Sequence, residues 1–292
     1  MSTDRGQVPP NLAAVQDHNR SFSGLTIVYP VISRRAGGLS LGVNLNPDKR
    51  CNFNCAYCEV NRRSPGRSGK VDPARILDEL TLLVRWAKEG RLLADQKFHD
   101  AGDLARTIKD ISFSGDGEPT LVENFSECVR VAAEVRKREN LDQTKIVLIT
   151  NATGLGKEDV KKGLAVMDVN NGEVWAKLDA GTETWYRMIN RSPVQFERIL
   201  GNILDTSRER PIVIQSMFMR VHGATMPETE LLAYCERLRS IVANGGQIKE
   251  VHAYTIARPV PEPWVEKLTE QELEVTAAVI RGRTGLPVRT FA

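Results

Sequence analysis

At 292 residues the chain is long enough for one large domain or two small ones, and its 41% hydrophobic and 26% charged residues are ordinary globular usage. The net charge of +3, from 40 basic and 37 acidic residues, neither demands nor excludes a polyanionic partner. No apolar stretch approaches the ~20 residues of a membrane span, and MSTDRGQVPPNLAAVQDHNR has no apolar core of the signal-peptide kind, so a soluble, cytoplasmic protein without membrane contact is expected.

Residues 1–38 are polar, with Pro9-Pro10 and Gly37-Gly38, and read as an N-terminal arm holding one short apolar piece, Leu25 to Tyr29. From residue 39 to 292 a rhythm runs that predicts one domain. LSLGVNLN (39–46) alternates like a strand. PARILDELTLLVRWAKEG (73–90) puts Ile76, Leu80, Leu83, Val84 and Ala87 on one helical face, with Asp72 as cap and Pro73 in the first turn. The stretch 91–109 carries no assignment. DISFSG (110–115) is strand-like, and Phe125, Cys128, Val129, Ala132 and Val135 mark a helix. KIVLITN (145–151) and VWAKLDA (174–180) read as strands around the brief helix KEDVKKGLAVM. The helix VQFERILGNIL (194–204), the strand PIVIQSMFM (211–219), the helix PETELLAYCERLRSIV (227–242) and the strand EVHAYTIA (250–257) follow. A last helix opens on the capping-box signature Thr269-Glu-Gln-Glu272 and runs to about Arg281. Six alternating strand–helix units predict an α/β fold with a parallel sheet and right-handed crossovers; eight would suit a complete barrel, and six leave it open.

Three of the five cysteines lie in CNFNCAYC (51–58), a C-x3-C-x2-C loop after the first strand, on the side of a parallel sheet where ligands bind. A structural zinc site needs four ligands. Cys128 and Cys235 sit on apolar helical faces and read as core, while His99 and His252 remain possible fourth ligands. The other reading is a cubane iron–sulfur cluster, normally held by four thiolates; three leave one iron open to a substrate or cofactor.

The C-x3-C-x-aromatic-C loop resembles that of the radical S-adenosylmethionine superfamily. The resemblance implies a partial, open (β/α)6 barrel, a [4Fe-4S] cluster on Cys51, Cys55 and Cys58, and S-adenosylmethionine chelating the open iron. One electron then cleaves the sulfonium, and the resulting 5′-deoxyadenosyl radical abstracts hydrogen from substrate. Tyr57 would lie against the adenine. SGDGEPTL (114–121) resembles the family's Gly-Gly-Glu-Pro motif, with Gly115, Gly117 and Glu118 holding the cofactor's amino group and Asp116 in place of the commoner glycine. Alone, that stretch reads equally as a strand-to-helix turn. Polar residues closing later strands, Thr150-Asn151, Lys177 with Asp179, and Gln215-Ser216, match groups that bind ribose and carboxylate, with Asn151 and Asp179 the preferred matches; they could instead pair with one another. Arg258 could face substrate or lie on the surface.

GEPTL, KLDA and YTIARP look most like the wybutosine-type branch, which modifies a base of transfer RNA. That branch has a second cluster on N-terminal cysteines, absent from residues 1–50, so a relative with a different reaction is expected. It also uses a lysine as a covalent handle, a part Lys177 could take, against ion pairing with Asp179. NRRSPGRSGK (61–70) could hold phosphates through Arg62, Arg63, Arg67 and Lys70, or be a solvated loop. Three functions stand: a radical enzyme acting on a small molecule, nucleotide or RNA; an activase installing a radical on a partner protein; and a non-catalytic, metal-stabilised nucleic-acid-binding module. The first two imply a low-potential electron donor, flavodoxin or ferredoxin.

Overall fold

The structure, a computed structural model, describes residues 8–9, 12–17, 20–61 and 71–292. The basic loop with Arg62, Arg63, Arg67 and Lys70 lies outside the described residues. The chain divides into two compact units. The first takes Met1–Arg50, Pro65–Ile149 and Glu158–Glu173; the second takes Cys51–Ser64, Thr150–Lys157 and Val174–Ala292.

The first unit holds, in chain order, the one-turn α1 (Ala13–Gln16), β1 (Val28–Ser33), β2 (Gly38–Val43), α2 (Pro73–Lys88), β3 (Ile108–Phe113), α3 (Phe125–Arg138), β4 (Lys145–Thr150, up to Ile149) and α4 (Glu158–Asp168). β1 runs antiparallel to β2, and β2, β3 and β4 are parallel. α2 forms where its period predicts. Asp72 accepts from the Ala74 N–H at 2.9 Å, Pro73 opens the first turn, and Ile76, Leu80, Leu83, Val84 and Ala87 are fully buried. Cys128 and Val129 of α3 are equally buried, as a core reading of that cysteine requires. The stretch 91–109 contains two 3-10 segments, Arg91–Ala94 and His99–Ala105.

β1 lies within residues 1–38. Its Pro30, which would break a central strand, is tolerated on a strand paired with β2 alone in this unit. Glu79 of α2 secures the strand's entry, accepting from the backbone N–H groups of Thr26, Ile27 and Val28 at 3.0, 2.8 and 3.0 Å.

The second unit holds β5 (Gly172–Lys177, from Val174), α5 (Glu183–Ile189), α6 (Phe196–Glu209), β6 (Ile212–Met217), β7 (Arg220–Val221), α7 (Glu228–Ala243), β8 (Ile248–Tyr254), β9 (Val265–Glu266), α8 (Glu270–Thr284) and β10 (Val288–Phe291). β5, β6, β8 and β10 pair in parallel in that order, and β7 pairs antiparallel with β9. The capping box of α8 is present, Thr269 and Glu272 bonding each other's backbone N–H. Cys235 of α7 is 2% exposed, again a core cysteine. Along the chain the strand–helix repeats are β2-α2, β3-α3, β4-α4, β5 with α5 and α6, β6-α7 and β8-α8, the predicted six. No helix among the described residues is long and apolar enough to cross a membrane.

One face of β2 and β3 is polar. Ser40 Oγ donates to Asp110 Oδ1 at 2.5 Å and lies 3.1 Å from Ser112 Oγ; Ser112 Oγ is 3.3 Å from Ser114 Oγ, which is 3.2 Å from the Tyr29 hydroxyl. Burial pushes the Asp110 carboxyl up to about 6, against the Ser40 hydrogen bond and the charges of Arg35 and Lys145, with Glu173 adding to the rise. An acid whose folded value exceeds its unfolded one stabilises the fold below the unfolded value and loses that contribution as pH climbs through the folded one. Between pH 4 and 7 Asp110 therefore withdraws about 3 kcal/mol of stability. Asp110→Asn is expected to remove this slope, read as urea midpoints at pH 4.5 and 7.5; an unchanged slope would refute the assignment.

Candidate functional site

The cysteine loop belongs to the second unit, and α5 builds it. That helix starts where Thr182 accepts from the Trp185 N–H and ends at Asn190. Its last carbonyls have no partner within the helix and take theirs from the loop. Asn54 N–H donates to Asn190 O at 3.0 Å and Ala56 N–H to Ile189 O at 2.8 Å. Ser192 Oγ donates to Asn52 O at 3.0 Å, and Phe53 packs edge-on against Tyr186 with ring centres 5.7 Å apart. The backbone on either side of Cys55 is thus tied to one helix end.

Cys51, Cys55 and Cys58 are half-buried, and none is in a disulfide. Donors converge on two of the sulfurs. Asn190 Nδ2 lies 3.6 Å from Cys55 Sγ; Phe53 N and Asn151 Nδ2 lie 3.4 and 3.9 Å from Cys51 Sγ. Burial pushes the Cys55 thiol up to about 12, opposed by the charge of Lys177. A bound cation reverses that logic and favours the thiolate.

Asp179 stands beneath the loop, 2% exposed. One carboxyl oxygen accepts from the Tyr57 hydroxyl at 2.5 Å and Asn190 Nδ2 at 2.8 Å; the other accepts from the Met217 N–H at 2.9 Å. The Asp179 side chain therefore brackets the loop from three elements, and it does so instead of pairing with Lys177. Tyr57 is buried with its hydroxyl directed at that carboxyl, and burial beside Asp179 raises the phenol further. Lys177, half-buried at the end of β5, has Nζ 5.8 Å from the centre of the Tyr57 ring. Burial works against its charge, but Tyr254, Cys55 and Asp179 together hold its ammonium above the usual range.

Asn151 Nδ2 donates to Asn52 Oδ1 at 2.8 Å, and Thr153 joins the same network through Asn52 and Asn151. Gln215 is fully buried on β6, in register between Lys177 of β5 and His252 of β8. Ser216 Oγ is 2.6 Å from both Leu178 O and the Tyr234 hydroxyl, a packing role. Arg258 pairs with Glu59, the residue after Cys58, at 2.9 Å. His252 is buried edge-on between Trp175 and Phe291 and bonds Glu250 at 2.9 Å, while His99, in the first unit, is exposed beside Asp100.

The glycine motif is built in the first unit. A Cβ on Gly115 would fall 2.3 Å from Asn44 Oδ1, and one on Gly117 would fall 2.1 Å from Arg50 O, so only glycine fits either place. Glu118 N–H donates to the same Arg50 carbonyl at 3.0 Å, and Arg50 immediately precedes Cys51 in the chain. Glu118 is buried, with Oε1 accepting from the N–H and hydroxyl of Thr120. Asn44 bonds Asp116 at 2.7 Å and receives the Asp116 N–H at 3.1 Å. The motif is thus a built turn in which Asp116 points to Asn44. Sequence reasoning missed Asn44, Asn52 and Asn190. The first carried a signal, as a polar residue late in the alternation of LSLGVNLN.

Among the described residues no three His, Cys, Asp or Glu side chains converge where one metal ion could be held. Three uncrosslinked thiols with N–H donors aimed at two of them fit a cluster.

No family profile matches the sequence. The chain is 25% identical over 274 residues to a UPF0026 protein of Methanocaldococcus jannaschii, covering 88% of this chain and 70% of that one. It is also 25% identical over 181 residues to GTPase Obg of Brachyspira hyodysenteriae, but spans only 23% of that protein's length. Among solved structures it is similar to TYW1 with a bound lysine–pyruvate adduct, with a TM-score of 0.54 at 16% identity, covering 83% of this chain and 73% of that one. It is similar too to Streptococcus suis SuiB bound to S-adenosylmethionine, with a TM-score of 0.51 at 12% identity, covering 88% and 48%. These likenesses show the fold: the chain shares the mixed α/β, strand–helix architecture of those two solved proteins.

Proposed function

We propose that this protein is a radical S-adenosylmethionine enzyme whose [4Fe-4S] cluster is held by Cys51, Cys55 and Cys58. The observation that carries the reading is the loop itself, in which three thiols stand outside any disulfide while α5 ties the backbone on either side of Cys55 and Asp179 holds the Tyr57 side chain. When bound, the cluster would supply the electron for reductive cleavage of S-adenosylmethionine, the chemistry that leads to hydrogen abstraction from substrate. The chain's own residues bind and orient. Gly115 and Gly117 keep side chains away from the cofactor's amino group, which Glu118 receives. Asn151 and Gln215 face ribose and carboxylate, and Tyr57 presents the ring that Asp179 fixes. Asp179 thereby acts on the cofactor chiefly through Tyr57 and Asn190.

Lys177 is the candidate for contact with substrate, since it stands beside Tyr57 with its ammonium held charged. An ammonium held charged suits a carboxylate on the substrate rather than attack on a carbonyl. The substrate itself is a small molecule or a nucleotide in RNA, and the electron arrives from a flavodoxin or ferredoxin.

Anaerobic reconstitution tests this. About four irons and four sulfides per chain are expected, with 5′-deoxyadenosine released on reduction, and both lost in Cys51→Ala, Cys55→Ala and Cys58→Ala. A tetrahedral zinc that survives in the protein, with no affinity for S-adenosylmethionine, would overturn the reading.

A further inference from the structure

Asn190 is placed to do more than end a helix. Its backbone carbonyl accepts from Asn54, and both protons of its side-chain amide are engaged, one on Asp179 at 2.8 Å and the other toward Cys55 Sγ at 3.6 Å. Asp179 is itself locked by Tyr57 and Met217, so the amide cannot turn away from the sulfur without breaking a buried bond. Asn151 reaches Cys51 Sγ at 3.9 Å, but its closer partner is Asn52 at 2.8 Å.

A hydrogen bond to a ligating sulfur draws electron density from it and favours the more negative, reduced state, which raises the reduction potential. We propose that Asn190 is a positioning residue that sets the potential of the cluster through the Cys55 sulfur, aimed there by Asp179. This rests on the reading that Cys55 is a cluster ligand. The two contacts differ in length, so Asn190 has the larger effect and Asn151 the smaller.

The experiment is an EPR-monitored redox titration of the reconstituted full chain, parent against Asn190→Leu, Asn190→Gln and Asn151→Leu. Leucine matches asparagine in size and has no donor. Asn190→Leu is expected to make reduction about tenfold less favourable, about 59 mV for one electron, with iron content unchanged. Asn190→Gln retains both donors and recovers part of the shift, and Asn151→Leu moves the potential less than Asn190→Leu. Equal potentials in parent and Asn190→Leu overturn the inference while leaving the cluster assignment intact. Failure of the parent to take up iron and sulfide removes the assignment itself. Should Asn190→Leu alone fail to load, pulsed EPR compares 15N-asparagine-labelled Asn151→Leu protein with the same protein carrying Asn190→Gln. A 15N coupling to the reduced cluster that is lost with Asn190→Gln supports the bond, and identical couplings overturn it.

Discussion

Replacing Asp179 by alanine is expected to destabilise the protein by about 3–5 kcal/mol and to abolish iron uptake, although no thiol is touched. The side chain is 2% exposed and accepts from the Tyr57 hydroxyl, the Asn190 amide and the Met217 N–H. Alanine leaves those three donors buried with one acceptor site gone, and each orphan costs about 1–3 kcal/mol. The loss also reaches the loop. Tyr57 lies between Cys55 and Cys58, and Asn190 holds the backbone at Asn54 on the other side of Cys55, so both supports of CNFNCAYC slacken together. Asp179→Asn keeps the shape and one acceptor oxygen but brings an N–H₂ against existing donors, and is expected to fall between parent and alanine. Urea midpoints give the stability, and iron per chain gives the loop. A loss below about 1 kcal/mol in Asp179→Ala would mean that the bracket does not carry the loop.

Where local chemistry decides structure, the sequence was readable. α2 shows its buried face in the spacing of five residues, its start in Asp72 and Pro73, and α8 shows its start in Thr269 and Glu272. CNFNCAYC was readable as a loop for the same reason, since no apolar period runs through it. β1 was not, because Pro30 argues against a strand, and what makes it one is pairing with β2 along its length, with its entry held by a carboxyl from α2, 51–53 positions later in the chain. α5 was missed as seven residues with two aromatics, too short to show a period. The same distance effect divides the site. Lys177 and Asp179 share a face by the period of two, which suggested that they pair. Once the loop folds back, Asp179 meets three better-placed donors and Lys177 is left beside Tyr57. A lone asparagine after a helix is common in any sequence, so nothing in ETWYRMIN marked Asn190 as a neighbour of a sulfur.

Replacing Glu79 by alanine is expected to be the other large loss, about 3–5 kcal/mol, localised to β1. Glu79 accepts from three successive backbone N–H groups, from the Thr26 hydroxyl at 3.2 Å and from Arg75 Nε at 2.8 Å. Without it the N–H groups of Ile27 and Val28 remain buried and unpaired, and β1 loses its start. Hydrogen exchange over Val28–Ser33 is expected to accelerate well before exchange in β3. Uniform protection across the two strands would contradict the assignment. The pH dependence separates this residue from Asp110 in the same unit. Burial tends to raise the Glu79 carboxyl, but the bonds from Val28, Ile27 and Arg75 outweigh it and hold the group below the usual carboxylate range. A depressed acid stabilises above its unfolded value, about 4.3, and withdraws that stability as pH falls through the folded one. Asp110 acts with the opposite sign, withdrawing stability as pH rises toward about 6. The two carboxyls therefore withdraw stability on opposite sides, Glu79 as pH falls and Asp110 as pH rises. Glu79→Gln is expected to flatten the acid side alone, and Asp110→Asn the neutral side alone. Urea midpoints of the two variants from pH 3 to 8 would show whether the limbs separate; a variant that moves both limbs would mean that the two carboxyls titrate as one coupled group.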